Sequence, residues 1–269
     1  MIVVKLGGSL VRENSNNLIY EEIARVSKMK KLVLVHGGGD EVTEIAKRLG
    51  HEQKFVTSAS GIESRYTDWE TMKIYAMVMT GLIAKRIELN LIKYNLKPFC
   101  ITGLDGSIII AKRKKRLLVK QGNKKLFIEG GYTGMIKKVD PAPLYVLLEL
   151  GFLPIVSPIA LGEEGEMLNV DSDRVASHIA SSLKAESLIL LTDVDGIYSG
   201  NEILDQLSLK NCEKLINEVG QGMKMKLIAS IHALKNGVKK VIIANGNADD
   251  LNLVYPEVMK RKTIICNEP

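Results

Sequence analysis

Short, strongly apolar segments alternate along the chain with longer segments whose apolar residues recur at helical spacing. Continuous apolar runs of about four to eight residues are typical of strands buried on both faces of a parallel sheet. Such runs begin at residues 2 and 32 and recur at residues 97–102, 152–159, 187–192 and 241–247. Helical periodicity lies between them, at residues 17–28, 41–49, 70–91 and 141–150, from about residue 171, and at 227–236. The alternation predicts an α/β fold with helices on both faces of a mostly parallel sheet.

The first two predicted strands each end in glycines. The segment IVVKLGGSL begins at Ile2 and contains Lys5, and the segment LVLVHGGGD begins at Leu32. Glycines at the carboxyl end of a strand expose backbone amides, and such amides bind anionic oxygens, especially where a helix starts. One glycine-rich turn is weak evidence, because many α/β proteins use one only to reverse the chain. Two such turns with a lysine between them predict a site for phosphate or carboxylate groups.

Composition narrows the class of protein. The 269-residue chain is 46% hydrophobic and 25% charged, which is ordinary for a globular protein of one large domain or two lobes. No apolar run approaches the roughly 20 residues of a membrane-spanning helix, and we expect no signal or transit peptide. The three scattered cysteines give no disulfide framework and no metal-binding spacing, which favours a reducing cytoplasm. The formal net charge of +6 favours an acidic partner or substrate.

A polar segment at residues 51–68 is predicted to be an irregular loop that ends in SGIESRYTD. Thr67 and Asp68 can cap the long helix predicted over residues 70–91. Arg65 is the only arginine of the loop. It is either a surface side chain beside a helix start or a guanidinium group that binds a substrate carboxylate. The residue pattern alone favours neither interpretation.

Residues 112–125, KRKKRLLVKQGNKK, carry an unusual density of basic side chains and are called the basic segment below. The pattern predicts a β-hairpin with its turn at residues 121–123, continued by residues 132–139. Such a run of charge is most often a solvated face; the specific alternatives are an acidic protein and nucleic acid phosphate. Because the segment lacks interleaved aromatic residues and any nucleic-acid motif, an acidic protein is the better specific interpretation.

Polar residues also follow the later strands. Asn169 and Asp173 lie at the start of a predicted helix, where turn formation and N-capping are their alternative roles. The segment TDVDGIY follows the strand at 187–192, and its Gly196 permits close backbone approach to a nucleotide. Lys226 ends GQGMKMK, which is predicted to be a loop before a helix. A lysine at a helix start is unfavourable unless an anion binds there.

The two glycine turns, Asn169, the TDVDG loop and the turn after the last predicted strand all fall at the carboxyl edge of the predicted sheet, where open α/β proteins bind their ligands. Cationic side chains, exposed amides and one organising aspartate are typical of phosphoryl transfer, in which catalysis is mainly positioning and charge stabilisation. The sequence has no Walker A motif and no protein-kinase signature. No histidine or serine is in the setting of a nucleophile.

Five motifs resemble, in this order, those of the amino acid kinase family: KLGGS, VHGGG, the Asn-x-x-x-Asp at 169–173, TDVDGIY and GMKMK. The resemblance spans essentially the whole chain. It implies a three-layer α/β sandwich with a mostly parallel, open central sheet, as in carbamate kinase. It also implies an N-terminal lobe for the amino-acid substrate at residues 1–167 and a C-terminal lobe for ATP at residues 168–269.

Within the family the chain is similar to acetylglutamate kinases, but its substrate loop differs. Those kinases usually place an arginine two residues after the loop glycine, whereas here Ile-Glu-Ser stands between Gly61 and Arg65. The SRYTD form resembles kinases whose substrates are linked to the small acidic carrier protein LysW, in lysine biosynthesis and a parallel arginine route. The terminal glutamate of that carrier holds the amino group of aminoadipate or glutamate. The resemblance implies phosphorylation by ATP of the side-chain carboxylate of carrier-linked L-2-aminoadipate or L-glutamate, with the basic segment as the docking surface.

The resemblance also implies roles for individual residues. Lys5 and Lys226 would stabilise the transferred phosphoryl group, and Asp173 would orient both lysines without acting as a base, since a carboxylate needs no deprotonation at neutral pH. The substrate would be bound by Gly8, Gly38, Gly39, Arg65 and Asn169. The nucleotide would be bound by Thr192, Asp193, Gly196, Tyr198, Asn245 and Gly246. Mg²⁺ would arrive with ATP, because the sequence shows no dedicated carboxylate cage for a metal.

Two alternatives remain open. A kinase for free N-acetyl-L-glutamate in arginine biosynthesis would share the motifs but act without a carrier. A non-catalytic nucleotide sensor or nucleic-acid-binding protein would use the basic segment, although both lysines and Asp173 are retained. The chain has no room for the regulatory domain of aspartate kinases and no helix before its first strand, so we expect a homodimer without inhibition by arginine.

Overall fold

The computed structural model describes residues 1–13, 17–58, 61–121 and 124–268. Within these ranges the α-helices are α1 (Leu18–Ser27), α2 (Gly39–Arg48), α3 (Trp69–Ala76), α4 (Ala84–Ile92), α5 (Ala142–Glu149), α6 (Ser172–Ser182), α7 (Leu209–Leu215) and α8 (Gln221–Lys235). The strands are β1 (Ile2–Leu6), β2 (Leu32–His36), β3 (Lys54–Thr57), β4 (Glu63–Tyr66), β5 (Pro98–Thr102), β6 (Ile109–Arg113), β7 (Arg116–Gln121), β8 (Lys124–Glu129), β9 (Gly134–Val139), β10 (Leu153–Ser157), β11 (Ile159–Gly162), β12 (Met167–Asn169), β13 (Ser187–Thr192), β14 (Tyr198–Ser199), β15 (Glu202–Ile203), β16 (Gln206–Ser208), β17 (Lys240–Asn245) and β18 (Lys262–Cys266). A π-helical segment, Met77–Ile83, joins α3 to α4.

An eight-stranded sheet runs through the described part of the chain. Its order is β16-β18-β17-β13-β1-β2-β10-β5, and neighbouring strands are parallel except for β17 and β18. The first strand, β1, lies in the interior of the sheet, paired with β2 on one side and with β13 on the other. The prediction of a mostly parallel, open central sheet is confirmed.

Helices cover both faces of this sheet and bury a separate hydrophobic core on each. Because successive side chains of a strand point to opposite faces, Val4 of β1 packs with α1 to α4 and Val3 packs with α5 to α8. Lys5 shares the face of Val3, so its side chain points toward the helices of the second group. The three-layer sandwich is therefore confirmed, and the strand periodicity of β1 aims a lysine into one core.

A smaller sheet and two hairpins lie near the start of α6. A four-stranded sheet has the order β12-β11-β6-β9, and β12 ends at Asn169, close before the N-cap residue of α6. The hairpins β3–β4 and β7–β8 lie beside each other, linked by a bridge between Ser58 and Val119. The basic segment and the Arg65 loop are consequently neighbours in space.

Two predictions about β structure were wrong. The segment 51–68, predicted to be irregular, contains the paired strands β3 and β4. Their side chains are exposed or half-buried, so no apolar run indicated a strand. The segment 132–139 contributes β9, which pairs with β6 instead of continuing the basic hairpin. The hairpin itself is present as β7 and β8; its predicted turn at 121–123 includes residues 122 and 123, which lie outside the described residues.

Helix boundaries and the last strand also differ from the prediction. The helix predicted over 70–91 is interrupted by the π-helical segment. The segment predicted as a loop before Lys226 belongs to α8 from Gln221 onward. Lys226 therefore lies in the second turn of a helix, and the helix-start argument for it fails. The antiparallel strand β18 was not predicted.

Candidate active site

Two glycine turns meet at the carboxyl edge of the central sheet. A Cβ atom on Gly8 would lie only 3.0 Å from the amide nitrogen of Gly38, so the close approach of the turns requires glycine. The amides of Gly8 and Gly38 have no protein acceptor within the described ranges. The helix α2 begins at Gly39, and its first-turn amides add further donors. This pair of turns is suited to binding anionic oxygens.

Side chains on the helical layer fix the two turns relative to each other. Gly38 has φ +147°, and a Cβ atom there would lie 2.2 Å from Cδ1 of Ile83 in the π-helical segment. Arg86 of α4 donates to the carbonyl of Val11 at 2.9 Å and to both carboxylate oxygens of Glu41 at 2.7 and 2.9 Å. Since Val11 follows the first turn and Glu41 follows the second, Arg86 ties the turns together.

A buried ion-pair unit joins three distant parts of the chain. Lys5 Nζ lies 2.8 Å from Oδ1 of Asp173, and Lys226 Nζ lies 3.2 Å from Oδ2 of the same carboxylate. The three side chains are 10% exposed or less. Lys5 comes from β1, Asp173 from the first turn of α6, and Lys226 from α8, which packs against α6. One carboxylate therefore holds two ammonium groups in fixed positions.

The two aspartates at the start of α6 have pKa values that are shifted in opposite directions. Burial raises the pKa of Asp171 above its ordinary value, and the charge of Asp173 raises it further. Burial would also raise the pKa of Asp173, but Lys5 and Lys226 outweigh it and hold that pKa below its ordinary value. Asp171 accepts a hydrogen bond of 2.9 Å from the amide of Arg174 and is the N-cap residue of α6. N-capping is therefore not the role of Asp173.

Arg65 lies on β4 with its guanidinium group against the start of α2. Its Nη2 donates to the Gly39 carbonyl at 2.6 Å and to Thr43 Oγ1 at 2.9 Å, and its Nη1 donates to Gln53 Oε1. The guanidinium carbon lies 5.0 Å from the centroid of the Phe55 ring. Burial lowers the pKa of Arg65 from its ordinary value, although the group remains a cation at neutral pH. The side chain is thus a half-buried cation held beside the second glycine turn.

Two adjoining cavities open beside Arg65. The glycine-turn cavity, about 290 Å³, reaches from the triple glycine to Arg65, and the distal cavity, about 410 Å³, extends from Arg65 toward Lys114. Both are lined by Glu63, Ser64, Arg65, Asn169 and Asp171. The Asn169 side chain donates to Thr67 Oγ1 at 3.0 Å, which fixes it at this shared wall. The two cavities form one cleft with Arg65 and Asn169 at its middle.

A third cavity, about 380 Å³, lies on the other side of α8. Met225 lines the distal cavity and Lys226 lines this third one, so adjacent residues of α8 separate the two spaces. The predicted nucleotide residues that line it are Thr192, Asp193, Gly196 and Tyr198. Apolar side chains complete the wall: Val194, Ile197, Val219 and Met223. The combination fits a flat aromatic base at one end and an anion near Lys226 at the other.

Asn245 and Gly246, also predicted at the nucleotide side, adjoin this cavity without being among its lining residues. The Gly246 amide donates to the Thr192 carbonyl at 2.8 Å, and Asn245 Nδ2 donates to Asp195 Oδ1 at 2.6 Å. Their contacts support the loop that carries Asp195 and the end of β13.

Three polar residues line the cleft although the sequence analysis did not place them there. Asp171 was regarded only as a helix start, and Lys114 was assigned to the docking surface. Arg174 also lines the distal cavity. Its signal was available in the sequence, because a cation in the first turn of a helix opposes the helix dipole.

Some chemistry has no site in the described part of the chain. No helix there is both long and apolar enough to cross a membrane. The cysteines Cys100, Cys212 and Cys266 are free thiols. Among the same residues, no cluster of three or more His, Cys, Asp or Glu side chains could hold a metal ion. The cleft is instead rich in cations and amide donors.

Comparisons with known proteins bear on the family and the fold of the chain. The model of the amino acid kinase family matches residues 1–245. A LysW-aminoadipate/LysW-glutamate kinase of Metallosphaera sedula is 44% identical over 93% of this chain and 95% of its own. An enzyme with the same name from Sulfurisphaera tokodaii is 42% identical over 93% of this chain and 95% of its own. The structure of carbamate kinase from Giardia lamblia superimposes with a TM-score of 0.68 at 16% identity, covering 98% of this chain and 98% of that one.

Proposed function

The chain belongs to the amino acid kinase family, and we propose that it phosphorylates the side-chain carboxylate of L-2-aminoadipate or L-glutamate linked to the carrier protein LysW. The acyl phosphate formed would serve lysine or arginine biosynthesis. The observation that carries the proposal is the buried Lys5–Asp173–Lys226 unit. Its Lys226 lines the third cavity, called the nucleotide cavity below, and the adjacent Met225 lines the cleft. The names of the two relatives supply the substrate class.

The chemistry follows from the charges of the site. A substrate carboxylate oxygen attacks the γ-phosphorus of ATP, a new O–P bond forms, and the bond from phosphorus to the bridging oxygen of ADP breaks. No base is needed, because the carboxylate is already ionised at neutral pH. Lys5 and Lys226 stabilise the negative charge on the transferred group, and Asp173 keeps both ammonium groups in place before the reaction starts. The amides of Gly8 and Gly38 bind phosphoryl or acyl oxygens.

Binding of the two substrates is divided between the cavities. Arg65 and Asn169 hold the amino acid in the cleft, Arg65 at its α-carboxylate. Thr192, Asp193, Gly196, Tyr198, Asn245 and Gly246 form the nucleotide side. Bound Mg²⁺ would neutralise phosphate charge. The residues fit an ion held mainly by the nucleotide, because both oxygens of Asp173 already contact lysines.

The basic segment fits an acidic carrier. In the β7–β8 hairpin, Lys120 stands directly opposite Lys125, a like-charge pair that destabilises an isolated hairpin. The same face carries Leu118 and Phe127, which are 37% and 67% exposed. A solvated face needs neither an exposed aromatic residue nor paired like charges. An acidic protein surface with a small apolar contact would cover both.

The wider organisation is proposed on similar grounds. Residues of the N-terminal lobe, 1–167, supply most of the cleft, and the nucleotide cavity is lined only by residues of the C-terminal lobe, 168–269. A homodimer is supported by exposed apolar residues near the β5 edge of the sheet: Met77, Leu89, Ile92 and Phe99.

A biosynthetic kinase supplied with ATP is expected in the cytoplasm.

Trapping of the acyl phosphate with hydroxylamine tests the function. The purified enzyme is given ATP with carrier-linked aminoadipate, carrier-linked glutamate or free N-acetylglutamate. Hydroxamate from the carrier-linked substrates alone is expected, and the ratio between them assigns the pathway. Efficient turnover of free N-acetylglutamate without the carrier would make the protein an arginine-pathway kinase, and no hydroxamate from any substrate would reject carboxylate phosphorylation.

Charge reversal tests the docking surface. The pair Lys120→Glu and Lys125→Glu should slow association with the carrier and flatten its salt dependence, while turnover at saturating carrier is retained. The matched control is Lys210→Glu with Lys214→Glu on α7, which changes the net charge equally. Equal effects of the two pairs on the association rate would assign the effect to net charge and reject this surface.

A further inference from the structure

The distal cavity extends past the residues that the proposed reaction uses. The glycine-turn cavity already contains the phosphoryl-binding turns and Arg65. Beyond Arg65 the distal cavity continues between the β3–β4 hairpin, the start of β7 and the first turn of α6. Its volume of about 410 Å³ exceeds the roughly 30 Å³ that one water occupies many times over. A free amino acid clamped at Arg65 would leave this space unfilled.

Two cations line this space, Lys114 from the β6–β7 connection and Arg174 from α6. Within the described ranges, neither side chain takes part in an ion pair, although the neighbouring Lys115 pairs with Glu164. Burial lowers the pKa of Lys114 from its ordinary value, and the charge of Arg174 lowers it further. The charge of Asp171 acts on the pKa of Lys114 in the opposite direction. Arg174 is also unfavourable in the first turn of a helix.

Two carboxylates, Glu63 and Asp171, are lining residues as well. Asp171 is engaged by the amide of Arg174 as a helix cap, and its raised pKa shows that its surroundings disfavour its charge. Glu63 is exposed to solvent on β4. Neither forms a salt bridge with Lys114 or Arg174 among the described residues. An anionic group from a ligand would relieve the repulsion between the two cations.

We propose that Lys114 and Arg174 form a second carboxylate-binding subsite. The ligand is a carboxylate on the acyl group that is amide-linked to the amino nitrogen of the substrate. The inference rests on the proposed function, whose substrate already carries an acidic acyl group, and assigns the residues that bind the free carboxylate of that group. A guanidinium group and an ammonium group together match the charge and shape of a carboxylate. An N-acetyl group has only a methyl group at this position and gains nothing from either cation.

Small synthetic substrates test the subsite without the carrier's docking surface. One is aminoadipate joined through its amino group to the side-chain carboxyl of a glutamate residue, and the other is its analogue in which the free α-carboxylate of that glutamate is a carboxamide. Wild-type enzyme should prefer the carboxylate by roughly tenfold or more in kcat/KM, the scale of a hydrogen bond to a charged group. The preference should lie mainly in KM, because the contact is remote from the reacting atoms.

Single substitutions assign the preference to the two cations. Lys114→Met and Arg174→Gln should each bring the carboxylate-to-carboxamide ratio close to one, whereas the matched control Lys115→Met should retain the wild-type ratio. Melting temperature and ADP affinity verify that each variant is folded with an intact nucleotide side. A ratio near one in wild-type enzyme, or an unchanged ratio in both variants, would overturn the subsite while phosphorylation of these substrates upheld the proposed function. If only free N-acetylglutamate is phosphorylated, the proposed function fails, and the subsite with it.

Discussion

The proposed phosphoryl-transfer centre, which consists of Lys5, Asp173 and Lys226, and the distal cavity both contain cations, but they hold them in opposite ways. In the centre, Lys5 and Lys226 are buried on regular elements of the core and share one ionised carboxylate. In the distal cavity, Lys114 and Arg174 face an open space without an ion-pair partner in the described ranges. One region holds both of its cations against a shared carboxylate before any ligand arrives, whereas the two cations of the other region have no ion-pair partner among the described residues.

The difference separates chemistry from recognition. Charge stabilisation in a transition state requires groups that do not have to reorganise, and buried groups on strands and helices meet that requirement. Recognition of a large acidic substrate benefits from cations without an ion-pair partner, whose field steers the partner toward the cleft. Substitutions in the two regions should therefore act on different kinetic parameters.

The largest effect is expected from removing a lysine of the centre. Lys5→Ala or Lys226→Ala should lower kcat by roughly 10²- to 10³-fold, the scale for losing one preorganised contact to developing charge. Single-turnover kinetics with saturating ATP measures it. Lys235→Ala, in the last turn of the same helix as Lys226, serves as the control and should keep wild-type kcat. Near-normal turnover in both variants would contradict charge stabilisation by Lys5 and Lys226.

Substitution of the two aspartates of α6 by asparagine should change the unfolding free energy differently. Asp173→Asn leaves two buried lysines without their shared carboxylate and should cost about 3–5 kcal/mol of unfolding free energy at pH 7. Because the folded pKa of Asp173 is lowered, its contribution is present above the ordinary carboxyl pKa of about 3.9 and is lost as pH falls through the folded value. The cost of Asp173→Asn should shrink below about pH 4 accordingly.

Asp171→Asn is the contrasting variant at the same helix start. Its folded pKa is raised, so ionisation of Asp171 opposes folding as pH rises through that window. Asn retains the capping acceptor. Thermal melts from pH 3 to 8 should show Asp171→Asn as stable as, or more stable than, wild type at neutral pH. The same sign of effect in both variants would contradict the charge distribution described here.

Arg65 stands between the two regions and should show an intermediate effect. Arg65→Ala should raise KM for the amino-acid substrate by roughly 10- to 100-fold, as expected for a hydrogen bond to a charged group, with a smaller change in kcat. The control is Arg48→Ala on α2, which removes an exposed arginine that pairs with Glu44. A KM equal to that of the wild-type enzyme would show that Arg65 does not bind the substrate and has only a structural role.

The smallest effect is expected from the contact that aligns the glycine turns. The Arg86–Glu41 pair is partly buried and touches no substrate, so Arg86→Gln should lower kcat by less than about tenfold through misplacement of the turns. The exchanged pair, Arg86→Glu with Glu41→Arg, should restore part of the loss if the contact acts by position. Loss of stability without any change in kcat would assign the pair to folding alone.

Local sequence patterns predicted most of the elements whose side chains are buried, but they missed the buried strand β18 and failed where a contact partner lay far along the chain. The face of Lys5 follows from strand alternation, but its contact with Asp173 depends on the packing of β1 against α6. Lys226 was selected for a wrong reason, since it lies within α8 rather than before it. The strands β3 and β4 carry little apolar pattern because both of their faces are partly exposed.

The distal cavity was beyond sequence reasoning for a related physical reason. Its wall combines the β6–β7 connection with the first turn of α6, and no local periodicity reports which loops meet. The basic density of residues 112–125 was visible, but the pattern does not distinguish Lys114, which lines the cavity, from Lys120, which faces solvent. Both lysines are exposed, and which of them lines a cavity depends on the tertiary fold.

The interior position of β1 has a consequence for synthesis on the ribosome. β1 and β2 emerge early and can pair, but the other edge of β1 must wait for β13, which begins only at Ser187. At about 5–20 residues per second, that edge stays unpaired for on the order of ten seconds or more. An apolar strand with open hydrogen-bonding groups is a template for aggregation during that time. We therefore expect this edge to stay open to aggregation until translation has passed residue 192, and the proposed phosphoryl-transfer centre is incomplete until Lys226 follows.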